Sequence, residues 1–294
     1  MLALESRSFS KLYRKIESVL FTRRILILKL SFFILFVIFK TVKFFFFSEI
    51  LLKTRIIAEI GSNWEGNLNI AKKIISECKL AGADAVKFQM WRAKDLYSET
   101  HPEWSTIKKS ELTFSKAKKI KKISDDLKIE FICSAFYPEA VTFLESINSK
   151  TYKVASRTCL LKDPFAVETL QHKASTKKHI IISMGMGGNK EKIKKIFLKN
   201  KVTFCYCISD YPLNFNKINW KKAINFDGFS DHTMGITAPI LFATLKKQKK
   251  SKQIIIEKHV KLKNSKGPDA STSIDTQQLS DLITHIRILE KTNF

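Results

Sequence analysis

Two apolar runs in this chain end in histidine. "FDGFSDH" stops at Ser230, Asp231 and His232, and "QIIIEKHV" carries Glu257, Lys258 and His259 after its isoleucines. Imidazoles closing two neighbouring strands can converge on one point. A pair of them beside carboxylates suits a divalent metal such as Mn2+ or Zn2+. One such histidine alone would read as an ordinary structural residue. Two lysines raise a second question. Lys87 in "AVKFQM" and Lys153 in "TYKVAS" sit among apolar neighbours, where an unpaired ammonium is costly. A bound phosphate or carboxylate would relieve that cost. An ion pair with Glu59 or Glu257 would relieve it equally well for either lysine taken singly.

These residues need elements to hold them. From Arg55 onward, short β-branched or aromatic runs alternate with helical patterns: "RIIAEIG", "AVKFQM", "IEFICSAF", "TYKVAS", "HIIISMG", "VTFCYC", "FDGFSDH" and "QIIIEKHV". The spacing predicts helices starting near Leu68, Glu111, Pro138, Pro164, Asn189, Lys217, Ala238 and Asp275. Asn67, Asp163, Asn189 and Asp275 are placed as caps or first-turn acids. Eight such units in roughly 240 residues match a (β/α)8 TIM barrel. A doubly wound open sheet would carry a Gly-rich phosphate loop after its first strand, and "EIGSNWEGN" is not one.

A barrel places its site at the C-terminal ends of its strands. Reading only those ends collects Glu59 and Asn63, Lys87 and Gln89, Ser134, then Lys153 and Ser156. The later strands add Ser183, Ser209 and Tyr211, Ser230, Asp231 and His232, and Glu257 and His259. Two lysines at one end favour an anionic substrate, and two histidines there favour a metal. From chemistry alone the reading is a metal-dependent lyase or aldol-type transferase acting on an anion. A Schiff-base aldolase using Lys153 would not require the histidine pair, and a non-catalytic, membrane-tethered sugar- or partner-binding barrel would not require a metal site.

The same residues resemble the sialic acid (N-acetylneuraminate) synthase family. The likeness rests on "IIAEIGSNWEGNLNIAKKII", "AGADAVKFQ", "YKVAS", "IIISMGM", Tyr211-Pro212, "FSDHTMGI", "IEKHV" and "GPDASTSI", in that order. It implies condensation of phosphoenolpyruvate with an open-chain N-acylated amino sugar such as N-acetylmannosamine, with release of phosphate. A related phosphoenolpyruvate-dependent synthase with another aldehyde acceptor is the nearest alternative. By the resemblance His232 and His259 hold the metal, expected to be Mn2+ before Mg2+ or Co2+. Lys87, Ser134, Lys153, Ser156 and Ser183 cradle phosphate and carboxylate. Gln89, Ser209, Tyr211, Ser230 and Asp269 bind substrate, Glu59 is the acid near the reacting carbon, and Glu257 is a second acid beside the metal.

The chain departs from the family pattern in places. Arg157 and Thr158 stand where Gly-Glu is usual, Ser134 lies in "CSAF" rather than "STPF", and Ser209 replaces an asparagine, which leaves the sugar open. Many members continue into an antifreeze-like domain that lends an arginine to the partner subunit's site. The chain ends at Phe294, so the alternatives are a truncated synthase, a member served by a separate antifreeze-like partner, or a weakened enzyme; a homodimer is the other expected partnership. Arg157 is expected in a surface ion pair ahead of a role as substitute cation.

Composition bounds the rest. The net charge is +25, but the lysines lie at spacings that fill outer helix faces, with no aromatic platform or finger motif, so nucleic acid is not an expected partner. The five cysteines lack zinc spacing, which fits buried, reduced thiols and a cytoplasmic setting. Residues 1–53 form a distinct basic, hydrophobic extension to a barrel domain over 54–294. Ten of the 23 phenylalanines lie before residue 50. The uninterrupted apolar run, Leu30 to Phe39, is half of what a span needs. Membrane association through residues 1–50, a signal-like segment and upstream sequence without structure are the three readings.

Overall fold

The computed structural model describes residues 30–38, 53–251, 253–265, 267 and 269–292. The chain divides into two compact units, Met1–Leu51 and Leu52–Phe294. In the first, residues 30–38 are α-helical (α1); apart from these and Lys53, the expected N-terminal extension lies outside the described residues. Among the described residues no helix is long and apolar enough to cross a membrane.

The second unit is a closed parallel barrel. Its strands are β1 (Arg55–Glu59), β2 (Ala85–Met90), β3 (Glu130–Ala135), β4 (Thr151–Val154), β5 (His179–Ser183), β6 (Val202–Tyr206), β7 (Gly228–Asp231) and β8 (Ile255–Lys261). Each pairs with the next, and β1 closes on β8 from Arg55↔Ile255 to Glu59↔His259. Closure rules out the doubly wound sheet, which would leave two open edges. A short β9 (Ile274–Asp275) adds to the end of β8.

Side chains alternate along each strand, and the two faces have different tasks. One face, including Ile56, Ala58, Phe88, Phe131, Tyr152, Ile182, Phe229 and Ile256, packs into the main apolar core. The other fills the barrel: Ile57, Ala85, Ile132, Ile181, Cys205 and Ile255 form a separate apolar cluster. Moving two residues towards the C-terminal end of these strands brings the polar set onto the same inner face.

The surrounding helices are α2 (Leu68–Leu80), α5 (Phe114–Asp126), α6 (Pro138–Ser146), α7 (Ala166–Ser175), α8 (Lys190–Ile196), α9 (Trp220–Ala223), α10 (Thr237–Gln248) and α11 (Thr276–Lys291). Three of the four expected caps are in place. Asn67 accepts from Asn69 and Ile70 amides, Asn189 from Lys192, and Asp275 forms a reciprocal capping box with Gln278. Asp163 does not cap α7. That helix starts after Phe165, whose φ is 61°, and Asp163 is engaged by Arg157 instead. The helix expected near Glu111 starts at Phe114 behind Thr113. Before it, α3 (Ala93–Leu96) and α4 (Trp104–Ser110) follow β2, packed on a small cluster of Trp91, Ala93 and Ile107. All five cysteines are buried and free.

Candidate active site

The barrel register assembles the charges. Glu59 pairs with Lys87 across β1–β2, Ser134 with Lys153 across β3–β4, and Ser230 with Glu257 across β7–β8. Lys87 Nζ lies 2.8 Å from Glu59 Oε2 and 3.6 Å from Glu257 Oε2. Lys153 Nζ lies 3.1 Å from Glu257 Oε1 and donates to Ser183 Oγ at 2.8 Å. Ser230 Oγ donates to Glu257 Oε1 at 2.9 Å, and Gln89 Nε2 donates to Glu59 Oε1 at 2.6 Å. All four charged side chains are buried. Of the two arrangements the sequence left open for the lysines, the ion pairs with Glu59 and Glu257 are present.

The two acids are not equivalent. Burial pushes the Glu59 carboxyl up to about 7, with Lys87 opposing it and Glu257 adding to it. Burial acts on Glu257 in the same direction, but Lys153 and Lys87 more than offset it and hold this group well below the carboxylate range. For Lys87, burial is outweighed by the two acids, which raise its pKa. Glu257 faces two ammoniums, whereas Glu59 shares one. Glu59 is therefore the group in this cluster able to hold or release a proton near neutral pH.

The histidines do converge. Their ring centroids are 5.5 Å apart, and the Tyr211 ring lies 4.1 Å from His232 and 6.2 Å from His259. His232 Nδ1 meets the Ile208 carbonyl at 2.7 Å. As the N–H donor in that bond, Nδ1 leaves Nε2 with a free lone pair. Burial and His259 together bring the His232 pKa down to about 4. Burial also lowers that of His259, whose Nδ1 is buried without a hydrogen-bond partner. Two neutral imidazoles with free nitrogen valence fit a divalent cation. Among the described residues no group of three or more His, Cys, Asp or Glu side chains is arranged as a metal cage. The donors beyond the two imidazoles would have to come from substrate and water.

The remaining expected residues divide by surroundings. Ser134 is buried on the inner face with its hydroxyl unpartnered. Ser156 Oγ accepts from the Gly185 amide at 2.8 Å and lies 3.6 Å from Cys207 Sγ. A Cβ at Gly185 would come within 2.7 Å of Ser209 Oγ, 2.8 Å of Cys207 Sγ and 3.1 Å of Ser156 Oγ, so the loop backbone lies directly against these three side chains. Asp269 accepts from the Ser62 amide at 2.7 Å. At Gly61, where φ is +52°, an added Cβ would meet Asp269 Oδ2 at 2.4 Å and Glu59 Oε1 at 3.3 Å, which sets Asp269 beside Glu59. Asn63 braces the backbone, donating to the Val260 carbonyl and to Ser273 Oγ. Asp231, gathered with the strand ends, is turned away from Ser230 and His232 and pairs with Lys258 Nζ at 2.7 Å. Arg157 pairs with Asp163 at 2.8 Å, the expected ion pair. Sequence reading missed Cys207, whose sulfur is 4.0 Å from His232 Nδ1. It also missed the buried Lys258 and Lys173.

Comparison with known proteins places this geometry in context. Residues 74–293 match the NeuB family. An uncharacterized protein of Methanocaldococcus jannaschii is 33% identical over 251 residues, 81% of this chain and 71% of that protein. The N,N'-diacetyllegionaminic acid synthase of Campylobacter jejuni is 32% identical over 268 residues, 81% of this chain and 77% of its own length. Among solved structures, the N-acetylneuraminic acid synthetase of Leptospira borgpetersenii superposes with a TM-score of 0.73 at 26% identity, over 82% of this chain and 85% of that one.

Proposed function

This chain belongs to the NeuB family, and from that premise we propose that it is a nonulosonic acid synthase. The reaction is the condensation of phosphoenolpyruvate with an open-chain N-acylated amino sugar. The observation that carries the reading is the inner cluster of Lys87, Lys153, Glu59 and Glu257 beneath the converging His232 and His259.

In this assignment the ammoniums of Lys87 and Lys153 meet the carboxylate and phosphate of phosphoenolpyruvate, with Ser134, Ser156 and Ser183 completing the cradle. Holding so charged a reactant in register lowers the barrier by orientation and by stabilising developing charge. Carbon 3 of the enol attacks the aldehyde carbon. Water then adds at carbon 2, and the carbon–oxygen bond to phosphate breaks. Glu59, with its carboxyl near neutrality, is the proton holder beside the reacting carbons. Glu257 stays ionised and fixes both lysines. His232 and His259 would hold the divalent metal, Mn2+ being the first choice, and when bound it would polarise the aldehyde oxygen as a Lewis acid. Gln89, Ser209, Tyr211, Ser230 and Asp269 are assigned to the substrate side.

A phosphate-release assay tests this on the full chain, with phosphoenolpyruvate, Mn2+ and a panel of N-acylated hexosamines. Release that requires both the sugar and the metal is expected. Phosphoenolpyruvate left unconsumed with every sugar, or consumed equally without any, would overturn the assignment.

A further inference from the structure

Lys173 is a wholly buried charge that the proposed reaction leaves without a task. It lies on the buried face of α7 with Ala166, Thr169 and Leu170 and is 0% exposed. Its ammonium donates to the Ala135 carbonyl at 2.8 Å and to the Lys153 carbonyl at 3.0 Å. The titratable and charged groups that face it are Cys133 on β3, Cys159 in the turn after β4, Lys153 on β4 and Lys87 on β2. No carboxylate is among them. Burial above all, with the two lysines adding to it, brings its pKa down to about 7. A charge kept in so unfavourable a place needs a reason.

Its two acceptors supply one. Ala135 follows Ser134, and Lys153 is itself part of the proposed cradle. β3 and β4 share two register pairs, Cys133↔Tyr152 and Ser134↔Lys153, whereas β2 and β3 share six. The seam that carries both cradle residues therefore has little ladder of its own. The Lys173 ammonium bridges the carbonyls where that ladder runs out.

We propose that Lys173 is a positioning residue, tying the C-terminal ends of β3 and β4 together from outside the barrel so that Ser134 and Lys153 stay in register with Ser183 and Glu257. Its effect on substrate use rests on the synthase reading; the tie itself does not. Hydrogen exchange on the ligand-free full chain measures the tie directly. In Lys173→Met, amides over 133–136 and 153–156 should exchange at least about tenfold faster, the smallest change that losing a charge-assisted hydrogen bond implies. Amides over 228–232 should be unaffected, and Lys173→Arg should restore protection. In the wild type, protection of the same two segments, corrected for intrinsic exchange, should fall between pH 6 and pH 9 as the ammonium loses its charge. Lys173→Arg should show no such fall. With phosphoenolpyruvate as substrate, Lys173→Met should raise KM about tenfold and leave kcat within about twofold. Unchanged exchange in Lys173→Met overturns the proposal. If that variant does not fold, a flat pH profile in the wild type does so instead. A wild type that shows the pH-dependent tie yet never consumes phosphoenolpyruvate would sink the synthase reading and leave the tie standing.

Discussion

β7 and β8 carry two buried charge networks that face opposite ways. On the outer face Lys258 and Asp231, both wholly buried, pair at 2.7 Å. Asp231 Oδ1 also accepts from the Thr233 amide at 2.9 Å and Oδ2 from the Thr233 hydroxyl at 3.0 Å, while Lys258 donates to the Thr233 carbonyl. One residue away along each strand, Ser230 and Glu257 turn inward and join Lys153, Lys87 and Glu59. The inner face, unlike the outer network, keeps buried polar atoms without partners, among them Ser134 Oγ and His259 Nδ1. A network with every atom satisfied holds a fold together. One that keeps atoms open inside a barrel mouth leaves them available to a ligand, as the proposed reaction requires.

Deleting one member of each network should have opposite consequences. Asp231→Ala leaves the buried Lys258 with the Thr233 carbonyl but without its counter-ion, and removing one partner of a buried pair costs about 3–5 kcal/mol. Denaturant unfolding should show that loss, with turnover per folded molecule preserved. His232→Ala should do the reverse. It removes a nitrogen proposed to hold the metal, worth several kcal/mol to the transition state and about 1000-fold or more in kcat/KM, while the lost bond to the Ile208 carbonyl costs only about 1 kcal/mol of stability. A variant of Asp231 that folds normally but is inactive would show the division into outer and inner roles to be wrong.

The sequence made one side of this division far more legible than the other. The strands could be read from their β-branched runs, and three caps from Asn or Asp at the right offset. The inner residues stood out because polar side chains closed apolar strands. Lys258 was legible in principle: with Glu257 and His259 inward, the period of two sends it outward, and a lysine there must find an acid. Lys173 stands three residues after Leu170 and seven after Ala166 on the buried face of α7. The alternation of strands and helices marks where α7 begins, but a single lysine within it carries no local sign of burial. What no local pattern could supply was pairing across the barrel. That Lys87 is shared by Glu59 and Glu257 depends on closure of β1 onto β8.

The inner acids should make stability depend on pH. Glu59 has a folded-state pKa near 7 against an ordinary 4.5, so the native state keeps a proton that the unfolded chain sheds. Its contribution to stability is complete below about pH 4.5 and is lost as pH rises through about 7, at no more than ~1.4 kcal/mol per pH unit. Over that window the loss is on the order of 3 kcal/mol. Glu59→Gln, which cannot ionise, should abolish it, so that the gap between variant and wild type widens from pH 5 to pH 8. Glu257, held low by Lys153 and Lys87, has the opposite sign: its contribution is present above about 4.5 and lost as the pH falls below it. Parallel stability curves for wild type and Glu59→Gln would refute the assignment of Glu59 as the proton holder.

Lys87→Met tests whether the inner lysines act only on substrate. Lys87 sits between two buried acids, so its removal leaves Glu59 without its cation. Glu59 can answer by taking up a proton, which moderates the cost to about 1–3 kcal/mol. The double variant Lys87→Met with Glu59→Gln should recover most of that stability and none of the turnover. Equal melting of single and double variants would mean that the pair is energetically silent.

The smallest effects come from single hydroxyls, and here the two networks should part most cleanly. Thr233→Val on the outer side removes a donor to Asp231 Oδ2 while keeping the shape of the side chain. Lys258 still donates to the same oxygen, so the cost should stay near 1 kcal/mol, the ordinary worth of one net hydrogen bond. It should appear in the denaturation midpoint and not in the kinetics. Ser134→Ala on the inner side removes a hydroxyl that is buried without a partner. No other group is left unsatisfied by its loss, so stability should hold within about 0.5 kcal/mol or rise slightly. If the hydroxyl instead awaits an oxygen of phosphoenolpyruvate, its absence should raise KM for that substrate about 2- to 12-fold, the equivalent of 0.5–1.5 kcal/mol. Should Ser134→Ala lower the midpoint and leave KM untouched, that hydroxyl belongs to the fold, and the inner face is less open than its unpartnered atoms indicate.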